Sequence, residues 1–210
     1  MVLFFSSDTV NPQAVIYMGE DKHHNEELIR WGWPEDVWFH LDDVSSAHVY
    51  LRLPEGLHFK DIPEALLKDC AQLVKANSIK GNKMNNVQVI YTPWSNLKKT
   101  GDMDVGQVGF KDKNLVRYVT VEKRDNAIVN RLNKTKIVKS GLDLRHEREE
   151  RDRKERIKEK HRREAMKKEL EEEQRRKEEE NRLRHYEDLF TPENMVSTNK
   201  DGGSDSDDFM

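Results

Sequence analysis

The chain has 210 residues and a mass of 24.8 kDa, room for one ordinary domain plus appendages. Charged residues make up 37% and hydrophobic residues 35%, with a mean hydropathy of -0.96, and no run of 18 apolar residues occurs, which argues against a transmembrane helix. The single cysteine, Cys70, excludes an intramolecular disulfide and a cysteine-rich zinc site, and the formal net charge of -3 is unevenly spread.

Residues 1–139 hold 19 Lys/Arg against 18 Asp/Glu. Residues 145–184 hold 17 against 14, and residues 185–210 set one lysine against seven acids. This divides the chain into a globular part (1–139), a charged rod (140–184) and an acidic tail (185–210). The first residues lack the basic start and long apolar stretch of a secretory signal. A reducing cytoplasmic or nuclear setting is therefore the expectation.

Residues 1–6 and 14–18 read as strands around an Asn11-Pro12 turn. Asn25 is a candidate N-cap for a short helix over 26–31. Strands at 37–41 and 47–53 are joined by a turn-length connection, so a hairpin is expected. Its aliphatic side carries Val37, Phe39, Leu41, Val49, Leu51 and Leu53. Its other side gathers Asp36, Trp38, His40, His48, Tyr50 and Arg52.

Asp61 and Glu64 have the spacing of a capping box. The helix that follows places Leu66, Cys70, Leu73 and Val74 on one apolar face, so a buried, structural Cys70 is expected. Further strands are expected at 87–92, 106–110 and 115–121. A helix over 125–137 is expected to lead directly into the rod. Strands in runs with segregated helices indicate an α+β fold with an antiparallel-rich sheet.

In the rod, 31 of the 40 residues from 145 to 184 are charged. Its few apolar residues, Ile157, Ala165, Met166, Leu170 and Leu183, build no sustained a/d seam. Good helix formers and favourable pairs such as Glu159 with Arg163 predict a solvated single helix about 60 Å long. A fluctuating linker and a weak coiled coil are the alternatives. The tail, with Ser204 and Ser206 among acids, reads as disordered and open to an acid-directed kinase, or as an unmodified solubilising segment.

No Walker loop, GxGxxG, GxSxG or HExxH is present. Asp36, His40 and His48 invite a metal or acid–base reading, but strand histidines are commonly structural. The favoured reading is a polar face with Trp38 and Arg52, with no catalytic residue, metal or cofactor assigned. The nucleic-acid signal is better. Residues 70–101 contain no acid but carry Lys75, Lys80, Lys83, Lys98 and Lys99, interleaved with Tyr91 and Trp94. Lysines neutralise phosphates and exposed aromatics stack on bases. The alternative is a core Tyr91 and merely solvated lysines. Lys22, His23 and His24 form a second polar loop.

The segments Asp36-Val37-Trp38-Phe39-His40, Ser46-Ala47-His48-Val49 and Val89-Ile90-Tyr91-Thr92, followed by Lys98-Lys99 and Gly106-Gln107-Val108, resemble the NFACT-R domain. With the charged helix and the Ser-Asp-Ser-Asp-Asp-Phe-Met ending, the whole chain resembles the coiled-coil domain-containing protein 25 family. The resemblance implies an α+β nucleic-acid-binding domain without established catalysis. It also implies RNA binding linked to ribosome quality control or, for animal members, a plasma-membrane pool that senses extracellular DNA through residues 20–24. The membrane span so implied falls near 106–122. There Lys111, Asp112, Lys113, Arg117 and Glu122 would each cost about 2.5–3.5 kcal/mol at a bilayer centre, so a simple spanning helix is not expected. The leading expectation is a non-enzymatic nucleic-acid-binding protein, with a ribosome-related assembly and protein partners of the charged helix as further implied contacts. An interaction adaptor and an enzyme using Asp36, His40 and His48 are the competing readings. DNA against RNA, and the oligomeric state, stay open.

Overall fold

The structure, a computed structural model, describes residues 1–189. In chain order it contains β1 (Val2–Ser7), β2 (Ala14–Gly19), α1 (Lys22–Trp31), β3 (Asp36–Leu41), β4 (Val49–Arg52), α2 (Glu64–Ala76), β5 (Val87–Pro93), β6 (Leu97–Lys98), β7 (Gly109–Phe110), β8 (Arg117–Val121), α3 (Asn126–Lys134), β9 (Ile137–Lys139) and α4 (Leu144–Leu189). Seven strands form one antiparallel sheet in the order β8-β5-β3-β4-β2-β1-β9, and β6 and β7 make a small separate ribbon. The α+β reading is correct.

The period-2 pattern of the central strands has a consequence beyond amphipathicity, because both faces of the sheet are covered. On one face Phe5, Ile16, Val37, Phe39, Val49 and Leu51 pack against Leu66, Cys70, Leu73 and Val74 of α2 and Leu132 of α3. On the other, Phe4, Tyr17, Tyr50 and Trp38 lie side by side across four strands. Phe4 stacks on Tyr17 at 5.7 Å and Tyr17 on Tyr50 at 5.1 Å between ring centroids. Leu28 of α1, Leu97, Trp94, Phe110 and Leu144 close over this row. A fully buried side chain of this size contributes about 1.5–3 kcal/mol, so the second layer is a core in its own right.

Several local expectations are corrected. The N-cap of α1 is Asp21, not Asn25: its carboxylate accepts from the backbone N–H groups of His23 and His24, both at 2.9 Å. Asn25 instead lies inside the helix and is buried. Asp61 does not cap α2. It closes a short 3-10 turn, and α2 starts at Glu64 after Pro63, whose fixed φ suits the entry to a helix. Residues 106–110 yield a strand only at Gly109–Phe110.

The helix expected over 125–137 stops at Lys134. The Thr135 hydroxyl donates to Leu132 O at 2.7 Å and accepts from Ser6 N at 2.9 Å, which turns the chain toward the sheet. The β-branched Ile137 and Val138 then pair with β1 as β9, at the sheet edge. The compact unit runs from Met1 to Arg151, past residue 139, because the first turns of α4 pack on it. Arg148 donates to Gly32 O, and Arg151 Nη2 meets Glu35 at 2.6 Å.

The second unit begins at Asp152, and its described part is the remainder of α4, with exposed i,i+4 ion pairs along it. Helix therefore extends through residues 185–189, which the charge pattern assigns to the tail. Ser204, Ser206 and the rest of the tail lie outside the described residues. Among the described residues no helix is long and apolar enough to cross a membrane. Residues 106–122 are shared between β7, a 3-10 turn and β8.

Candidate nucleic-acid interface

The start of α1, the 43–47 connection and the loop after α2 enclose a groove of about 760 Å³. Lys22 and Lys80, 58 positions apart in the chain, both line it. Asn25 is in its wall, 8% exposed, and its side-chain oxygen is buried without a hydrogen-bond partner. Gly19 permits this arrangement, since a Cβ there would collide with the Asn25 side chain. Ile79 stands at the rim, 93% exposed. Glu20, Asp21 and Asp43 also line the groove, so its charge is mixed. Asp21 is engaged by the α1 N-terminus and by His24 Nδ1 at 2.8 Å. The His24 backbone N–H, chief among these contacts, holds the Asp21 carboxyl below its ordinary range.

The sequence candidates divide sharply. Lys80, Lys83 and Lys98 are exposed, as are Lys22 and His23. His24 is half-buried, its ring joined to Asp21 and to the Met1 amine. Lys75 is not on the surface. It is fully buried in the last turn of α2, and its ammonium donates to Gly81 O at 3.0 Å and to Met84 O. Desolvation pushes its pKa down. The apolar stem fills the core while the head ties the following loop, so Lys75 is a structural residue.

Trp94 is likewise structural. Its indole N–H donates to Ile29 O at 3.0 Å and lies 3.3 Å from Leu28 O, capping the end of α1. A Cβ on Gly32 would strike this ring. Arg148 stacks on it at 5.1 Å. Lys99 is half-buried and paired with Glu26 at 3.0 Å, with further bonds to Asp104 O and Gln107 O. Burial works against ionisation of Glu26, but the Gly106 N–H and Lys99 together hold its carboxyl below the ordinary range. Tyr91 is a core residue, stacked on Phe39.

The polar face of the β3–β4 hairpin is an interior network. Asp36 is fully buried and accepts from Arg52 Nε at 3.0 Å, from Trp33 N at 2.9 Å and from the Tyr17 hydroxyl. Arg52 lies 3.4 Å over the Trp33 ring. Burial lowers the guanidinium pKa, but Asp36 outweighs it and the net shift is upward. Burial, then Asp36, drives the Tyr17 phenol well above its ordinary value.

Four residues farther along β3, about 13 Å away, His40 and His48 meet edge to face at 4.9 Å. His48 Nδ1 accepts from Trp38 Nε1 at 2.9 Å, and His40 bonds to Leu41 O and Ser46 N. Burial first, then His40, lowers the His48 pKa to about 3. Asp36 and the two histidines do not converge. Among the described residues no three His, Cys, Asp or Glu side chains are placed to hold a metal.

Three features escaped sequence reasoning. Asn25 looked like a cap, and Ile79 carried no signal in a polar loop. Tyr118 is a 54% exposed aromatic on the outermost strand. The alternation of Val119 and Val121 with Tyr118 and Thr120 does place Tyr118 on the opposite side from the α2 core.

Residues 1–112 match the family model of the NFACT protein RNA binding domain. Coiled-coil domain-containing protein 25 of Danio rerio is 61% identical over the whole of both chains. The homolog of that protein in Dictyostelium discoideum is 54% identical, again over both full lengths. Among solved structures, the C-terminal part of the fibronectin/fibrinogen-binding protein from Streptococcus suis matches with a TM-score of 0.51 and 21% identity. That match covers 64% of this chain and 49% of the solved one, and it speaks for the fold alone. The chain belongs to the coiled-coil domain-containing protein 25 family, built on an NFACT-R nucleic-acid-binding domain.

Proposed function

We propose that this chain is a non-enzymatic RNA-binding protein whose amino-terminal domain holds an unpaired RNA segment in the groove beside α1. The observation that carries the site is the convergence of Lys22 and Lys80 on one groove around the unpartnered Asn25 oxygen. The two exposed ammonium groups neutralise phosphates of a strand lying in the groove. Lys83, three residues on from Lys80, is exposed as well. RNA is preferred to DNA because the matching family model describes an RNA-binding domain. A ribosome-linked RNA is the corresponding cellular ligand, and this part of the reading rests on the family resemblance. Crosslinking in cells followed by sequencing of the bound nucleic acid tests it. Enrichment of ribosomal or transfer RNA is the expected result. Recovery of DNA alone would replace the RNA reading with the DNA-sensing one.

A further inference from the structure

The rod is polarised along its length. Residues 151–168 contain ten Lys/Arg and four Asp/Glu, whereas residues 169–180 contain three and seven. In the basic half, Arg153, Arg156, Lys160, Arg163 and Lys167 follow one another at spacings of three, four, three and four. In a helix this spacing puts all five on a single face, one about every 5 Å over roughly 21 Å of axis. These are the positions that apolar residues occupy in a coiled-coil seam. Filling them with cations makes close approach of a second basic face unfavourable and suits the face to a polyanion.

The ion pairs of Lys160, Arg163 and Lys167 leave their side chains accessible. Lys160 lies 3.9 Å from Glu164, Arg163 2.5 Å from Glu159 and Lys167 3.6 Å from Glu171, and the cationic side chains are 77–78% exposed. Such surface pairs are weak and exchange readily for stronger polyanionic partners. We propose that this stripe is a second nucleic-acid-binding surface that grips phosphates without reading sequence. The inference rests on the nucleic-acid reading of the amino-terminal domain and adds a distinct surface to it.

The test uses the full chain and a mixed-sequence single-stranded RNA of 30 nucleotides. The dissociation constant is measured between 50 and 200 mM salt for the unmodified chain and for R153Q/R156Q/K160Q/R163Q/K167Q. Glutamine keeps helix propensity, and circular dichroism checks that α4 persists. Each lost phosphate contact should reduce the log–log salt slope by about 0.7, so the five-site variant should lose up to about 3.5 and bind at least tenfold more weakly at low salt. The R175Q/R176Q/K177Q variant, altered in the acidic half, should bind as the unmodified chain does. If the five-site variant loses helicity, K160Q/K167Q supplies the measurement, with an expected slope change of about 1.4.

An unchanged slope in a helical variant would overturn the proposal. So would an equal loss in the acidic-half variant, which would assign the effect to total charge. Weakened binding to phosphatidylserine vesicles with unchanged RNA binding would also overturn it, in favour of a membrane surface. Failure of the unmodified chain to bind RNA at all would defeat the functional reading itself, a separate result.

Discussion

The domain from Met1 to Arg151 and the helix that continues past it are made from the same charged side chains and use them in opposite ways. In the domain, charges are few per unit of core and several are committed to buried partners. Asp36 holds Arg52 and Tyr17, Asp69 accepts from Ser7 Oγ and Arg131 Nη2 at 2.6 Å each, and Lys75 closes a loop. Beyond Arg151 the charges meet their neighbours one turn away, in water. The difference teaches that a lysine count says little until burial is known. Five lysines in an acid-free window looked like one binding face, yet one is interior and another is tied to Glu26.

The largest effect expected from this contrast is at Asp36. Asp36→Ala leaves Arg52 half-enclosed without its carboxylate, and breaking a buried pair in this way costs about 3–5 kcal/mol. Urea unfolding of the domain signal should show that loss. Glu159→Gln in the rod, which removes a solvated pair, should leave the same unfolding midpoint in place. Equal effects at the two sites would erase the distinction between the regions.

Acid is the next way to strain the comparison. His48 is neutral in the folded domain down to about pH 3, whereas an unfolded histidine takes its proton near pH 6.5. Between those values the unfolded state binds more protons, so stability is fully present above about pH 6.5 and falls as the pH drops toward 3. Burial lowers the His40 pKa as well, in the same direction. For His48 alone the loss is on the order of a few kcal/mol. His48→Asn, whose amide oxygen can take the Trp38 N–H, should flatten the dependence measured by urea midpoints across this range. An unaltered pH slope would remove His48 as its source.

A smaller effect separates structure from binding at Lys75. Lys75→Met keeps the apolar stem but leaves the Gly81 and Met84 carbonyls short of a donor. The expected cost is about 1–3 kcal/mol of stability with RNA affinity unchanged in the folded protein. Reduced affinity with unchanged stability would return Lys75 to the surface set. The smallest effect is in the rod, where raising salt should lower α4 helicity modestly by screening its ion pairs, read by circular dichroism.

Much of the fold was legible because strand alternation and the apolar face of α2 are local patterns. Val37, Phe39 and Leu41 announce a strand wherever they occur. What failed depended on distant partners. Lys75 is interior because Gly81 and Met84 present carbonyls to it. The polar side of the hairpin is a core because α1, Trp94 and the β6–β7 ribbon cover it, and no residue in the hairpin encodes that cover. β9 forms because β1 offers an open edge to Ile137 and Val138. Of the candidate site, Lys22 and Lys80 were named but not joined. They line one groove because the fold brings the start of α1 beside the loop after α2, and no local pattern marks Asn25 as a buried side chain without a partner for its oxygen.

The central claim is that RNA enters the groove flanked by Lys22 and Lys80. It is tested most directly by the salt dependence of single-stranded RNA binding to the full chain and to Lys22→Gln/Lys80→Gln. Both lysines are exposed, so the double variant should keep its unfolding midpoint. The account predicts a slope smaller by about 1.4, the value for two lost phosphate contacts, and weaker binding at low salt. An unchanged slope and affinity in the folded variant would contradict it.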